Sequence, residues 1–275
     1  MPRLDPEQQQ ALAARVRYFR ELGIFDFYRR GEVIVDSEDT AQPFENVSLS
    51  VTNPDETMPK KQSSSQSKAP VIDLLPAQQS VVPPAERAAA LRAIQQDIGD
   101  CTRCQLAAGR NTIVFGEGDA NARLMFVGEG PGADEDMQGR PFVGRAGQLL
   151  NNMITAMGLT REQVYIANIV KCRPPQNRTP EPVEANTCSQ FLFRQIDVIR
   201  PEILVALGST AATYLLGGKS SLSALRGRMH EARGSKLIVT YHPAYLLRDP
   251  RQKKEAWADL QIAMKELGLK APAKG

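Results

Sequence analysis

Several features that mark particular protein classes are missing from this sequence. None of its apolar runs approaches the ~18 residues of a membrane-spanning helix, which excludes a conventional span. The opening Met1-Pro2-Arg3-Leu4-Asp5-Pro6-Glu7 holds no apolar core and no small-residue cleavage site, so a cytosolic protein without a secretory signal is expected. Charge of one sign is scarce, with a net of only +3; histidine occurs twice and cysteine four times. With 42% hydrophobic and 24% charged residues, collagen-like and wholly disordered chains are excluded too. What remains is a globular chain of 275 residues, enough for one large domain or two small ones.

The small net charge hides a division. Residues 1–85 carry 9 Lys/Arg against 12 Asp/Glu, whereas residues 86–275 carry 25 against 19. The basic excess therefore lies in the later part, where an anionic partner such as nucleic acid becomes plausible. Residues 7–30 repeat apolar side chains at helical spacing (Leu12, Val16, Phe19, Leu22, Ile24, Phe27) up to Gly31, predicting an amphipathic helix that packs on its own chain or docks a partner. Between Asn53 and Pro84, 15 of 32 residues are Pro, Ser or Gln, with no Gly and no aromatic, too little apolar surface to order itself. The expected organisation is an N-terminal helical segment (1–35), a disordered Pro/Ser/Gln-rich linker (36–85), a folded domain (86–268) and a tail (269–275).

Within the folded domain, residues 86–98 read as a helix stopped by Gly99. Four apolar runs then read as buried strands: Leu124–Val127, Val164–Val170, Ile203–Leu207 and Leu237–Thr240. Helical stretches at about 146–157, 181–199, 209–216 and 251–267 separate and follow them. This alternation predicts an α/β protein, a three-layer α/β/α sandwich around a four-stranded parallel sheet. Ligands of such sheets bind beyond the carboxyl ends of the strands, and the unusual residues of this sequence fall there.

The four cysteines come as Cys101 and Cys104 in C-x2-C, then Cys172 and Cys188 in C-x15-C. A cytosolic chain seldom keeps disulfides. Structural zinc usually draws on two tight knuckles, whereas a 4Fe–4S cluster tolerates irregular spacing. Spacing alone leaves a cluster, a zinc ion and unrelated thiols open.

The first strand runs into Gly128-Glu129-Gly130-Pro131-Gly132, which is not a Walker loop, because no Gly-Lys-Ser/Thr follows, and not the G-x-G-x-x-G dinucleotide fingerprint. Such a loop lets a ligand approach the backbone; the plainer reading is a tight turn followed by solvated acids. Glu129 stands between two glycines, where a structural carboxylate gains little. Pro141 and its flanking glycines present Phe142, either a core plug or a stacking platform for a planar base. Asn168 interrupts an apolar run and must find hydrogen-bond partners; its amide suits one edge of a nucleobase. His242, one of only two histidines, leaves the fourth strand on the same rim.

With these residues assembled, the chain closely resembles the family-four uracil-DNA glycosylases, the iron–sulfur branch of that superfamily. The resemblance covers about 86–268 and rests on G-E-G-P-G at 128–132, P-F-V-G-R-A-G at 141–147, N-I-V-K-C-R-P-P at 168–175 and H-P-A-Y-L-L-R at 242–248, with all four cysteines in the family's pattern. It implies a monofunctional glycosylase that hydrolyses the N-glycosidic bond of uracil in single- or double-stranded DNA, initiating base excision repair. It implies uracil binding by Gly128, Gly130, Phe142 and Asn168, with Glu129 and His242 catalytic. It also implies a 4Fe–4S cluster on Cys101, Cys104, Cys172 and Cys188; the substrate chemistry requires no electrons, so a structural role is expected for it, with redox sensing as the alternative. DNA contacts are expected from Arg178, Arg226, Arg228 and Arg248, with Leu246 or Leu247 as a wedge. A monomer is expected, with no membrane partner and with the N-terminal helix free to recruit a repair or replication protein. A related branch that captures the abasic sugar reads G-E-Q-P-G and carries a histidine in an inserted basic loop. Here Gly130 holds the third motif position and residues 174–178 contain no histidine, which argues for hydrolysis. A non-catalytic nucleic-acid module and a nucleotide-phosphate enzyme are the rival classes. The convergence of Phe142, Asn168 and His242 weighs against the first, and the missing Lys-Ser/Thr against the second.

Overall fold

The computed structural model describes residues 81–270. The helix expected over 7–30, residues 36–80 of the expected linker and residues 271–275 lie outside the described residues. Six strands form one sheet: β1 (Glu117–Gly118), β2 (Leu124–Gly128), β3 (Tyr165–Asn168), β4 (Ile203–Leu207), β5 (Met229–Ala232) and β6 (Ser235–Thr240), in spatial order β1-β3-β2-β4-β6-β5. The middle four pair in parallel. The edge strands β1 and β5 pair antiparallel with β3 and β6.

The expected four-stranded parallel sheet is therefore corrected to a mixed sheet of six strands. The reason lies in the edges. β1 has two residues, too few for any alternation to register, and β5 reads Met-His-Glu-Ala, with an exposed acid at its third position. The central strands β2 and β4, by contrast, are buried at every position, and a continuous apolar run is what burial on both faces writes into a sequence.

Residues along each central strand alternate between two cores. Met125, Val127, Leu204, Ala206, Leu237 and Val239 enter one cluster; Leu124, Phe126, Ile203, Val205, Leu207 and Ile238 enter the other. The first is closed by helices α1 (Arg87–Ile98), whose Leu91, Ile94 and Ile98 are buried, and α4 (Pro182–Ile199), which packs on it. The second is covered by α3 (Arg145–Ala156), through Leu150 and Ile154, and by α8 (Lys253–Leu267), through Leu260, Ala263 and Met264. Four further helices, α2 (Ala133–Gln138), α5 (Ser209–Leu216), α6 (Leu222–Leu225) and α7 (Pro243–Arg248), follow β2, β4, α5 and β6. Ordinary strand exits, rather than long loops, thus carry the residues of interest. Past its last assigned residue, β3 keeps pairing: the amides of Ile169 and Val170 donate to the carbonyls of Gly128 and Glu129.

Lys171 is the lysine that enters the core among the described residues. Lys171 is 0% exposed, and its Nζ donates to Gln195 Oε1 at 2.7 Å. Gln195 Nε2 in turn donates to the Phe115 carbonyl and the Tyr165 hydroxyl, which ties α4 to β3 and to the segment before β1. Burial pushes the Lys171 ammonium down from 10.5 to about 7. Between those pH values the unfolded chain takes up a proton that the folded chain refuses, so the folded state loses ground as pH falls through this window. Lys171→Met removes that effect. Urea unfolding is expected to show the variant gaining on the wild type by on the order of 3 kcal/mol between pH 10 and pH 7; equal pH dependence of the two proteins would contradict a neutral buried lysine.

Candidate active site

The carboxyl ends of β2, β3, β4 and β6 open on a cavity of about 760 Å³. Gly128, just before the first of the cavity's lining residues, has no room for a side chain. A Cβ built on Gly128 would overlap Asn168 Oδ1 and stand 2.6 Å from Phe142 Cζ. The missing side chain is thus what lets the Phe142 ring and the Asn168 amide close over the end of β2. Asn168 is 1% exposed, and its Oδ1 has no hydrogen-bond partner among the described residues. Leaving a buried acceptor unmatched costs about 1–3 kcal/mol, so this atom calls for a donor from outside the chain.

Phe142 adopts φ +51°, a left-handed backbone that a phenylalanine takes only under constraint. The constraint comes from residues to which sequence reasoning gave no role. Glu135, on α2, accepts from the backbone amides of Gly132 (3.0 Å), Val143 (2.9 Å) and Gly144 (3.1 Å), so one carboxylate joins the glycine-rich loop to the phenylalanine loop. The acids after Gly132, read from sequence as solvated, include this clasp. Arg161 donates to the carbonyls of Pro141 and Phe142 and to Asn151 Oδ1 (2.8 Å), while Glu117 holds it at 2.6 Å. Gly147 lies against the Phe142 carbonyl, where any Cβ would overlap it. A sequence signal did exist for Glu135: it stands three residues after Gly132, at the third position of a helix beginning at a strand exit.

His242 caps α7, its Nδ1 accepting from the amide of Ala244 at 3.1 Å. An accepting Nδ1 carries no proton, so Nε2 is the N–H donor of the neutral ring. Burial pushes its pKa from 6.5 down to about 4, the nearby Arg248 adds to the fall, and Glu135 opposes it. The imidazole stands 5.5 Å from the Phe142 ring, centroid to centroid. Across the cavity, Glu129 Oε2 accepts from the hydroxyl of Thr210, at the start of α5. Thr210 is a second residue the sequence gave no reason to select. A third is Asn177, in the cavity wall; with Gln176 it adopts positive φ, and its Oδ1 accepts from Arg173 Nε at 2.8 Å.

The structure therefore brings Glu129, Gly130, Phe142, Asn168 and His242 to one cavity, with Gly128 packed behind Phe142 and Asn168. The expected DNA-contact residues separate into two kinds. Arg178 is clamped by Glu184 at 2.7 and 2.8 Å. Arg226 is held by Asp259 at 2.7 Å, with its guanidinium 4.0 Å above the Tyr241 ring. Arg228 and Arg248 are exposed and form no ion pair among the described residues, and Arg248 lines the cavity. Leu246 is 1% exposed and cannot reach a duplex without unpacking; Leu247, 42% exposed, is the leucine of α7 that projects outward.

A model of the uracil DNA glycosylase superfamily matches residues 115–261. Among similar proteins, the type-4 uracil-DNA glycosylase of Thermotoga maritima is 49% identical over 158 residues, covering 57% of this chain and 82% of the relative. That of Archaeoglobus fulgidus is 40% identical over 187 residues, covering 65% and 94%. The chain belongs to the type-4 uracil-DNA glycosylase family. A third member, from Sulfurisphaera tokodaii, is 45% identical over 173 residues.

The expected 4Fe–4S cluster is corrected. Among the described residues, no group of three or more His, Cys, Asp or Glu side chains is arranged to hold a metal ion. Cys101, Cys104, Cys172 and Cys188 are all free. The surroundings of the later pair favour thiols over the thiolates that metals bind: burial pushes Cys172 up and Cys188 up to about 11. Cys172 Sγ instead lies 3.6 Å from Arg110, and Cys188 Sγ accepts from the Lys171 amide at 3.2 Å. The donor set does not fit the cluster. Among the described residues no helix is long and apolar enough to cross a membrane.

For His242, nitrogen-15 NMR is expected to show a neutral ring protonated at Nε2 from pH 8 down to pH 5, with protonation only near pH 4. Titration near the ordinary 6.5 would contradict the capped, desolvated imidazole.

Proposed function

We propose that this uracil-excising DNA glycosylase takes an extruded uracil into the cavity over Gly128 and hydrolyses its bond to the sugar there. The observation that carries the reading is the unpartnered, buried Asn168 Oδ1. Uracil presents a donor at N3–H and an acceptor at O4, which pair with Oδ1 and Nδ2 of one amide. Cytosine presents an acceptor at N3 and a donor at N4, which would leave Oδ1 unsatisfied. Phe142 stacks on the ring, and base–aromatic stacking is worth ~1–3 kcal/mol.

As the bond from N1 to C1′ breaks, its electron pair stays with the base, and positive charge develops on the sugar. The Nε2–H of neutral His242 donates to uracil O2, where the departing anion's charge collects. A preorganised donor of this kind is worth ~2.7–4 kcal/mol. Neutrality matters here, because the ring stays capped and oriented while it stabilises the anion. Glu129, fixed on one oxygen by Thr210, faces the positive sugar and positions the water whose oxygen ends on C1′. The hydrogen lost from that water balances the proton finally carried by uracil N1. Extrusion itself costs a few kcal/mol, offset by these contacts.

DNA phosphates meet the unpaired Arg248 and Arg228, while Arg178 lines the cavity and Arg226 backs Tyr241; Leu247 fills the gap left by the flipped base. The catalytic domain in this reading is 86–268, with residues 1–35 recruiting a repair or replication partner across the 36–85 linker. The enzyme is a cytosolic monomer that opens base excision repair by producing an abasic site.

The test is cleavage of a labelled oligonucleotide holding one uracil, with and without alkali. The wild type is expected to yield breaks only after alkali. His242→Ala and Asn168→Ala should each lower the rate by about 10²-fold or more. Breakage before alkali would overturn simple hydrolysis, and full activity in both variants would remove this pocket from the chemistry.

A further inference from the structure

The cavity is larger than one pyrimidine needs. Its volume of about 760 Å³ lies in the range of sites that enclose ligands of drug size. The hydrolysis gives roles to Glu129, Phe142, Asn168 and His242. The same cavity is also lined by Leu222, Tyr241, Ala244, Tyr245 and Arg248, to which the hydrolysis assigns no contact with the base.

Tyr241 and Tyr245 belong to a stack of planar groups. Asp259 fixes Arg226 at 2.7 Å, the guanidinium lies 4.0 Å from the centre of the Tyr241 ring, and Tyr241 stacks on Tyr245 with centroids 5.1 Å apart and an interplanar angle of 27°. Asp259 Oδ1 also accepts from the Gly227 amide at 3.1 Å, which anchors the stack to the body of the domain. Rings that merely packed α7 on the sheet would be buried; Tyr241 and Tyr245 are both half-buried and line the cavity. Three residues after Tyr245, on the same helix, Arg248 is exposed, lines the same cavity and has no ion pair among the described residues. An aromatic face with a neighbouring unpaired guanidinium is the chemistry that receives a nucleotide: the base stacks and the phosphate pairs. Because the stack is assembled before DNA arrives, little ordering is lost on binding.

We propose that Tyr245 and Arg248 form a second nucleotide subsite beside the uracil pocket, Tyr245 stacking on the base next to the extruded uridine and Arg248 pairing with the phosphate between them. This rests on the uracil pocket being as described above. Every base offers a face to stack on, so the subsite recognises that a neighbouring base is present rather than which base it is.

The experiment is a cycle between protein and substrate. Single-stranded oligonucleotides carry one uracil flanked by normal nucleotides, or by a tetrahydrofuran residue that lacks a base on the 5′ or on the 3′ side. KM and kcat are measured for the wild type, Tyr245→Ala, Tyr245→Phe and Asn168→Ala. With the wild type, removing the base on one side is expected to raise KM about tenfold, with little change in kcat. Tyr245→Ala should raise KM by a similar factor on normal DNA and add nothing on the substrate that lacks that base, whereas Tyr245→Phe should behave as the wild type. Losses that simply multiply, or indifference to both flanking bases, would overturn the subsite. If Asn168→Ala is inactive while Tyr245→Ala shows no coupling, only the subsite is removed. If Asn168→Ala cleaves normally, the uracil pocket fails and takes the subsite with it.

Discussion

A single missing side chain organises the site. At the carboxyl end of β2, Gly128 offers bare backbone, and the Phe142 ring and the Asn168 amide close over it to distances that any Cβ would forbid. The parallel core supplies the frame, because β2 and β3 run side by side with Gly128 paired to Asn168. The phenylalanine loop must then be brought across and held in an unfavourable backbone conformation. Glu135 does this through three main-chain amides and Arg161 through two main-chain carbonyls. Strain of this sort, of order 1–3 kcal/mol, persists where surrounding contacts over-determine it.

The polarity of the site follows from the same packing. Asn168 is buried with an acceptor that has no partner among the described residues, while the half-buried His242 has its acceptor already used by Ala244, which leaves a donor free. An acceptor on one side and a donor on the other make a template for a ring that presents N3–H and O2, and a poor one for a ring with those positions reversed. The unmatched acceptor weakens the empty protein slightly and favours the occupied one, which is how a fold can spend stability on recognition.

The parts of this arrangement legible in the sequence were those that break a local pattern. An amide inside an apolar strand, a histidine where histidine is rare, and glycines at a strand exit each stand out against their surroundings. Asn168, His242 and Gly128 do meet in space. Glu135, Thr210 and Arg161 did not stand out, because an acid in a first helical turn, a threonine beside it or an arginine on a surface is ordinary until its partners are known. Nor could sequence tell a clamped arginine from an unpaired one: Arg226 is held by Asp259 and lies over Tyr241, whereas Arg248 is exposed with no ion pair among the described residues. The edge strands β1 and β5 were too short and too exposed to leave a pattern. Cysteine spacing misled for a related reason. Spacing records where thiols fall along the chain, whereas a metal needs several of them converging as thiolates, and burial here drives Cys172 and Cys188 the other way.

The most direct test of the template is to fill it. Free uracil, and separately cytosine, would be titrated into the isotope-labelled protein while the side-chain amide of Asn168 and the Nε2–H of His242 are followed by NMR. Uracil should shift both signals along one saturation curve, and cytosine should leave the Asn168 amide unmoved. Signals that stay fixed with uracil, or that move equally with both bases, would contradict a pocket in which Asn168 and His242 together read and hold the departing base.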